Sequence, residues 1–170
     1  VTYTYVGDKL EQITTADGSF IKYIWSGNNI TDVRAKYTNL ANSSLVTQTR
    51  TRYAYDGYNR LIQVTVDLSP EDNAIADGKT YVTTYTYHGA SKQVATISQT
   101  DGSSLAVSYD GSGRVSTMTQ TVAAGDSRTT SFAYGANYTN ITAPDGQVTR
   151  MDYDTARQLT KITAPPAAAG

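Results

Sequence analysis

Apolar positions in this chain are grouped in short, recurring sets. An aromatic-x-aromatic triplet leads into a polar turn, and the turn into two apolar residues three positions apart. The triplets are Tyr3-Thr4-Tyr5, Tyr23-Ile24-Trp25, Tyr53-Ala54-Tyr55, Tyr85-Thr86-Tyr87, Val107-Ser108-Tyr109, Phe132-Ala133-Tyr134 and Met151-Asp152-Tyr153. The apolar pairs that follow them are Leu10/Ile13, Ile30/Val33, Leu61/Val64, Val94/Ile97, Val115/Met118, Tyr138/Ile141 and Leu159/Ile162. Self-similarity of this kind marks a repeat architecture, each repeat being one supersecondary unit.

Side chains return to one face of a strand every second residue, so an apolar spacing of three predicts a β-bulge inside each pair. A second kind of turn, Asp17-Gly18, Asp77-Gly78, Asp101-Gly102 and Asp145-Gly146, precedes the next ring strand in several units. Asp-Gly suits the positive φ angles of a type I′ hairpin turn. Each repeat therefore reads as a β-hairpin, and the fold class as all-β, tandem antiparallel hairpins in a twisted strip. Two long steps imply insertions at 31–50 and 66–80. In the second, Ser69-Pro70-Glu71-Asp72 has the N-cap, proline and acids of a helix start, which predicts a turn or two of helix within 69–77. The array covers 1–164; residues 165–170, rich in Pro and Ala, read as a linker-like tail. Entry in mid-motif at Val1 is expected of a piece of a longer protein.

Composition agrees with this class: 14 Tyr and 13 Gly, but only Glu11 and Glu71 among 15 acids. Tyr, Thr and Val favour pleated surfaces, and Gly and Asp favour tight turns. A formal net charge of -1 gives no basic footprint for a phosphate backbone, so nucleic acid is not an expected partner. The absence of cysteine excludes disulfides, thiolate metal sites and a cysteine nucleophile. No apolar run has the roughly 20 residues of a spanning helix, so membrane insertion is not expected.

Candidate chemistry is sparse. His88 is the sole histidine and stands where other units carry the turn aspartate, so it builds neither a metal site nor a triad by itself. The aspartates cluster in Gly turns, where a short carboxylate bonds neighbouring amides; calcium binding there is the sharper alternative, although the glycine-rich calcium-binding nonapeptide is absent. Arg60, Arg114 and Arg157 read as one recurrent position that pairs with a turn aspartate. No catalytic residue, metal ligand or cofactor is expected. The rings Tyr5, Trp25, Tyr55, Tyr87, Tyr109, Tyr134 and Tyr153, with Leu10, Leu61 and Leu159, are assigned to a buried structural ladder. Tyr37, Tyr58, Tyr81 and Tyr138 lie outside the ring motif and are the expected ligand contacts, because tyrosine joins an apolar body to a polar tip.

Tyr55-Asp56-Gly57-Tyr58-Asn59-Arg60-Leu61, Tyr109-Asp110-Gly111-Ser112-Gly113-Arg114-Val115 and Tyr153-Asp154-Thr155-Ala156-Arg157-Gln158-Leu159 resemble the Tyr-Asp-x-x-Gly-Arg-Leu core of YD (Rhs-type) repeats. The resemblance extends over residues 1–165. It implies hairpins that follow one another in a strip spiralling into a hollow shell. In bacterial Rhs proteins and Tc toxin subunits such shells enclose a toxic polypeptide, and in teneurins a similar shell presents adhesive surfaces. Tyr5, Trp25, Tyr87 and Tyr134 are followed by Val6, Ser26, His88 and Gly135 in place of Asp, and no Asp-Pro self-cleavage segment is present. The expected role is a non-catalytic scaffold segment of an exported bacterial protein, secreted or at the cell surface. Its partners would be neighbouring repeats, an enclosed toxin polypeptide or, in the alternative of an adhesion module, a surface glycan or protein. The uncharged first strand, Val1 to Val6, is expected either to self-associate as an open edge or to be covered by an insertion.

Overall fold

The computed structural model describes residues 1–38, 42–69 and 75–165. Their regular elements are all strands: β1 (Thr2–Val6), β2 (Lys9–Thr14), β3 (Phe20–Ser26), β4 (Asn29–Thr38), β5 (Leu45–Tyr55), β6 (Leu61–Asp67), β7 (Thr80–Tyr87), β8 (Val94–Gln99), β9 (Ser104–Tyr109), β10 (Val115–Ala123), β11 (Asp126–Tyr134), β12 (Tyr138–Thr142), β13 (Val148–Tyr153) and β14 (Leu159–Thr163). They belong to two compact units, Val1–Tyr85 and Thr86–Gly170. In the first, β1 to β7 are hydrogen-bonded in chain order; in the second, β8 to β14 are. Pairing within the units is antiparallel, from β1–β2 and β6–β7 to β13–β14.

The odd spacing of the apolar pairs is explained by a bulge at one repeat position. Tyr3 faces Ile13 and Tyr5 faces Leu10, with Glu11 the extra residue. Tyr23 and Trp25 face Val33 and Ile30 across the extra Thr31. Tyr53 and Tyr55 face Val64 and Leu61 across Ile62. Val107 and Tyr109 face Met118 and Val115 across Ser116, and Met151 and Tyr153 face Ile162 and Leu159 across Thr160. The bulge converts a spacing of three on one strand into two on its partner, so both ring–aliphatic pairs share a face. Two bulge residues also bond across the hairpin: the hydroxyls of Thr31 and Thr160 donate to the carbonyls of Ile24 and Asp152.

The sixth unit departs from this plan. Phe132, Ala133 and Tyr134 face Ile141, Asn140 and Thr139 with no shift. Its turn is tighter, the Gly135 amide donating to the Tyr138 carbonyl at 2.8 Å, so no residue is left over to bulge. Tyr138 therefore does not oppose Tyr134, contrary to its place in the apolar pair.

Neighbouring hairpins are joined by ring tips. The indole N–H of Trp25 donates to the Leu10 carbonyl at 2.9 Å, and the hydroxyl of Tyr55 to that of Ile30 at 3.0 Å. Tyr109 donates likewise to Val94 at 3.1 Å, and Tyr134 to Val115 at 2.7 Å. In each case the second ring of one unit reaches the first apolar residue of the preceding unit. The ladders between units stop before those carbonyls: β2–β3 pairing runs from Gln12 to Thr14, and β8–β9 pairing from Thr96 to Ser98. The ring supplies the donor that the receding strand does not. Successive turns touch as well, Lys9 donating to the Gly27 carbonyl, Asn29 to Asn59, and Gln93 to the Gly113 carbonyl.

The Asp-Gly turns have a different geometry from the expected type I′. Gly18, Gly102 and Gly146 have φ of 84°, 85° and 83°, but Asp17, Asp101 and Asp145 are not in the positive region. The Gly18 amide bonds the Thr15 carbonyl and the Thr15 amide bonds the Ser19 carbonyl, with the same pattern at 99–103 and 143–147. These are three-residue loops, a type I turn closed by a left-handed glycine. Asp keeps ordinary φ because its carboxylate accepts the amide two residues on, as Asp17 does from Ser19.

The ladder is half-buried rather than buried. Leu10, Leu61, Val64 and Ile97 are intermediate, and Tyr5 and Leu159 are exposed at 60% and 50%. Within each unit the described strands form a single layer, so ring and aliphatic side chains cover only one another. The described residues that are fully buried, Asp67, Ser69 and Ile75, all belong to the insertion at 66–80. There the Ser69 amide donates to Asp67 and its hydroxyl to Asp77. The expected short helix falls largely on 70–74, outside the described residues; from Ile75 to Gly78 the chain forms turns and bends. The insertion at 31–50 is in large part an extension of β4 and β5 into a long hairpin.

Tyr55→Phe, Tyr109→Phe and Tyr134→Phe should each lose about 1 kcal/mol, the net worth of one hydrogen bond, in urea unfolding. Tyr153→Phe should lose almost nothing, since its hydroxyl reaches only the Met151 sulfur at 3.7 Å. Equal losses in all four would disprove coupling through these carbonyls. Leu61→Ala should cost about 1–2 kcal/mol, below the 2–5 of a fully buried leucine.

Candidate functional site

The turn that follows a motif ring is built around one carboxylate. Asp56 Oδ1 accepts the amides of Tyr58 and Arg60, and Oδ2 takes Nε and the terminal nitrogen of Arg60 at 2.8 and 2.7 Å. Asp110 repeats this with Ser112 and Arg114, again with a two-nitrogen guanidinium contact at 2.8 and 2.7 Å. The left-handed position is Asn59 in one loop and Gly113 in the other. The third member differs. Arg157 occupies that left-handed position, with φ of 62°, and Gln158 follows in the place of the arginine, its amide donating to Asp154 Oδ1. Arg157 is thus one residue out of step with Arg60 and Arg114, and the expectation of a shared position fails. Among the described residues no carboxylate oxygen lies within ion-pair distance of its guanidinium.

The expected ligand tyrosines are spread over separate hairpins. Tyr37 is in β4, and its side chain lies outside the described residues. Tyr58 is exposed at the tip of the β5–β6 loop, with the Arg60 guanidinium 4.9 Å from its ring centre. Tyr81 is in β7, opposite Val66. Tyr138 lines a cavity. His88 is anchored, Nε2 lying 3.0 Å from the Val107 carbonyl and the ring edge-on to Tyr109. No group of three metal-ligating side chains occurs among the described residues.

That cavity, in the second unit, has a volume of about 500 Å³. The rings of Tyr134, Tyr138 and Tyr153 line it, with Asn137, Asp154 and Arg157; Arg114 and the 135–136 turn complete the wall. Gly135 is required, because a Cβ there would overlap the Tyr138 ring. Cations reach two of the rings: the guanidinium carbons of Arg114 and Arg150 lie 4.3 and 4.0 Å from the centres of Tyr134 and Tyr138. Tyr134 and Tyr153 carry sequence signals of the structural ladder alone. What the sequence does hold is the irregular unit itself, Tyr134-Gly135-Ala136-Asn137-Tyr138, where both the turn aspartate and the first aliphatic residue are replaced.

Hydrogen bonding sets the acidity of the turn aspartates. The Arg60 guanidinium holds Asp56 below its ordinary value, assisted by the Arg60 and Tyr58 amides. For Asp110 the Arg114 amide is the larger cause and its guanidinium the next; for Asp17 it is the Thr15 hydroxyl. A carboxylate with a lowered folded value stabilises the fold above its unfolded value, near 3.9, and that contribution vanishes as pH falls through the lower folded value. Melting temperature should therefore fall on acidification from about pH 5 to about pH 2, and Asp56→Asn with Asp110→Asn should flatten that fall. An unchanged acid limb in the double variant would show that these turns do not set acid stability.

Residues 139–165 match the family model of the RHS Repeat. Solved structures of TcdB2-TccC3 assemblies are similar to the chain. One with Cdc42 is 11% identical, covers 92% of this chain and 11% of that one, and has a TM-score of 0.38. A second, TcdB2-TccC3-TEV, is 13% identical over 96% and 11% of the two chains at a TM-score of 0.35; TcdB2-TccC3 itself is 8% identical over 90% and 13% at 0.28. The chain thus spans only 11 to 13% of the length of those chains. No curated protein matches it. The stretch that matches the RHS repeat, 139–165, runs from β12 through the bulged β13–β14 hairpin, and earlier hairpins carry a bulge at the same place.

Proposed function

We propose that this chain is a non-catalytic scaffold segment of a large exported bacterial Rhs-type protein, its hairpins forming part of a wall that encloses a toxin polypeptide or supports a surface protein. The observation that carries this reading is the ring-to-carbonyl bond between successive hairpins. Each unit is completed by the next, so the strip grows by addition and has no natural end, as a wall requires. The matched RHS repeat supports the same role. The sole histidine is held by a backbone carbonyl and a ring, and Asp56 and Asp110 close loops. No helix among the described residues is long and apolar enough to cross a membrane.

Electron microscopy of the parent polypeptide should show these hairpins within a continuous wall around a separate chain segment. Their display as a free lobe would refute the wall. In the isolated 170-residue chain, β1 bonds β2 alone and its five residues are all exposed, so no described insertion covers it. Uncharged open strands pair with other chains. Light scattering should report self-association that rises with concentration and that Thr2→Lys with Thr4→Lys suppresses. A monomer whose outward β1 amides exchange freely would rule out edge pairing.

A further inference from the structure

We propose that the neck of the insertion at 66–80 is a calcium site, built from the carboxylates of Asp67 and Asp77 and the hydroxyl of Ser69. The site lies in the first unit and does not depend on the scaffold reading.

Asp67 and Ser69 are the fully buried polar residues among those described, in a strip whose other side chains are at most half-buried against one another. Asp67 ends β6 opposite Thr80 and is 7% exposed. Its Oδ1 accepts the Ser69 amide. Its Oδ2, shut off from solvent, meets no donor and no cationic side chain among the described residues. Taking an ionised carboxylate out of water costs far more than a single hydrogen bond returns, so such an oxygen calls for a counter-charge. A water molecule would supply a donor but leave the charge uncompensated. A cation supplies both the contact and the charge.

Asp77 is brought to the same place by Ser69, whose hydroxyl donates to Asp77 Oδ2 at 3.0 Å while its amide holds Asp67. One buried residue thus joins two carboxylates that would otherwise repel. The neck is closed from the other side: the Leu68 amide donates to the Lys79 carbonyl at 3.0 Å, and Asp77 Oδ1 accepts the Lys79 amide at 2.8 Å. Lys79 Nζ lies 3.6 Å from Asp77 Oδ2, but its side chain is 68% exposed, so it offsets little of the charge buried at Asp67. The Ser69 hydroxyl donates its proton and keeps its lone pairs for a metal, as the second oxygen of Asp67 does.

The donor set is oxygen alone, without imidazole or thiolate, which selects a hard cation over zinc or copper. Calcium accepts flexible geometry and completes its shell with backbone carbonyls and water, whereas magnesium demands a near-ideal octahedron and gives up its water reluctantly. With two carboxylates rather than three or more, the site belongs with the weak calcium sites, at a Kd of about 0.1–1 mM.

Isothermal titration of the 170-residue chain with calcium chloride, and with magnesium chloride at matched ionic strength, tests the proposal. One calcium per chain should bind in that range and raise the melting temperature as its concentration rises, an increase that EDTA reverses; magnesium should bind more weakly. Asp67→Asn and Asp77→Asn should each weaken calcium binding at least about tenfold, the loss that even an outer partner of a metal ligand causes. In EDTA, Asp67→Asn should melt no lower than the parent, because it removes a buried charge that nothing else neutralises, whereas an aspartate serving the fold alone would give the opposite order. Asp126→Asn, at the start of β11, controls for calcium held by exposed turn aspartates and should change neither reading. Absence of calcium binding, equal binding of magnesium, calcium binding that survives Asp67→Asn or Asp77→Asn, or a lower melt of Asp67→Asn in EDTA would each overturn the proposal.

Discussion

A bulge and a ring tip account together for how these hairpins stand side by side. A regular hairpin would offer its full ladder to the next strand on either side. Here the extra residue after each apolar partner bends the strand away, and the ladder to the following unit ends short of that partner. The exposed carbonyl would be left without a protein donor at a half-buried position. The second ring of the next unit fills the gap with an indole N–H or a phenol O–H, so the lost backbone bond is replaced by a side-chain bond from a fixed repeat position. This explains why the motif needs Tyr or Trp there. Phenylalanine would pack as well but bring no donor, and among the motif rings it occurs once, at the first position, in Phe132.

Such an arrangement stabilises by neighbours rather than by a core. The rings and aliphatic residues of each unit are half-buried against one another, and the deeper burial of Asp67, Ser69 and Ile75 is a local feature of one insertion. Apolar area per residue is therefore modest, and hydrogen bonds and closed turns carry a larger share of the stability than in a two-layer domain. The carboxylate-centred loops matter for the same reason. Asp56 and Asp110 each satisfy two amides and a guanidinium, holding the open end of a hairpin in a conformation that a half-buried strand pair alone would not fix.

Legibility in the sequence followed the strictness of each constraint. Strand faces alternate with period two, so a recurrent spacing of three could be read as a bulge from Leu10/Ile13 or Leu61/Val64 without coordinates. Hairpin order followed from the short turns. The details that went astray depend on energies too close to read locally. Asp-Gly fits both a type I′ turn and the three-residue loop with a left-handed glycine, and the choice at Gly18 is made by the Ser19 amide bonding back to Asp17. Full burial of the ladder was expected because recurrent aliphatic residues normally mark a core, but one layer of strands has nothing to press on its face. Arg157 was aligned with Arg60 and Arg114 by residue type, although counting from the ring places it one position early.

The cleft was legible only in fragments. Tyr138 stood out as a ring beyond the motif, but Tyr134, Tyr153 and Arg157 were each absorbed into repeat roles that earlier units do fulfil. In a strictly periodic strip every ring tip has its carbonyl and every turn carboxylate its arginine. A single tight turn at Gly135 removes the bulge from β11–β12, and the displaced Tyr138 then deprives Tyr153 of its acceptor one unit later. One local substitution of turn type is thus felt in the next repeat, because each unit is tied to its neighbours. These residues line one hollow beside the Gly135 turn. Irregularity in a repeat protein is for this reason where polar atoms are released, since those of the repeat consensus are already spent on one another.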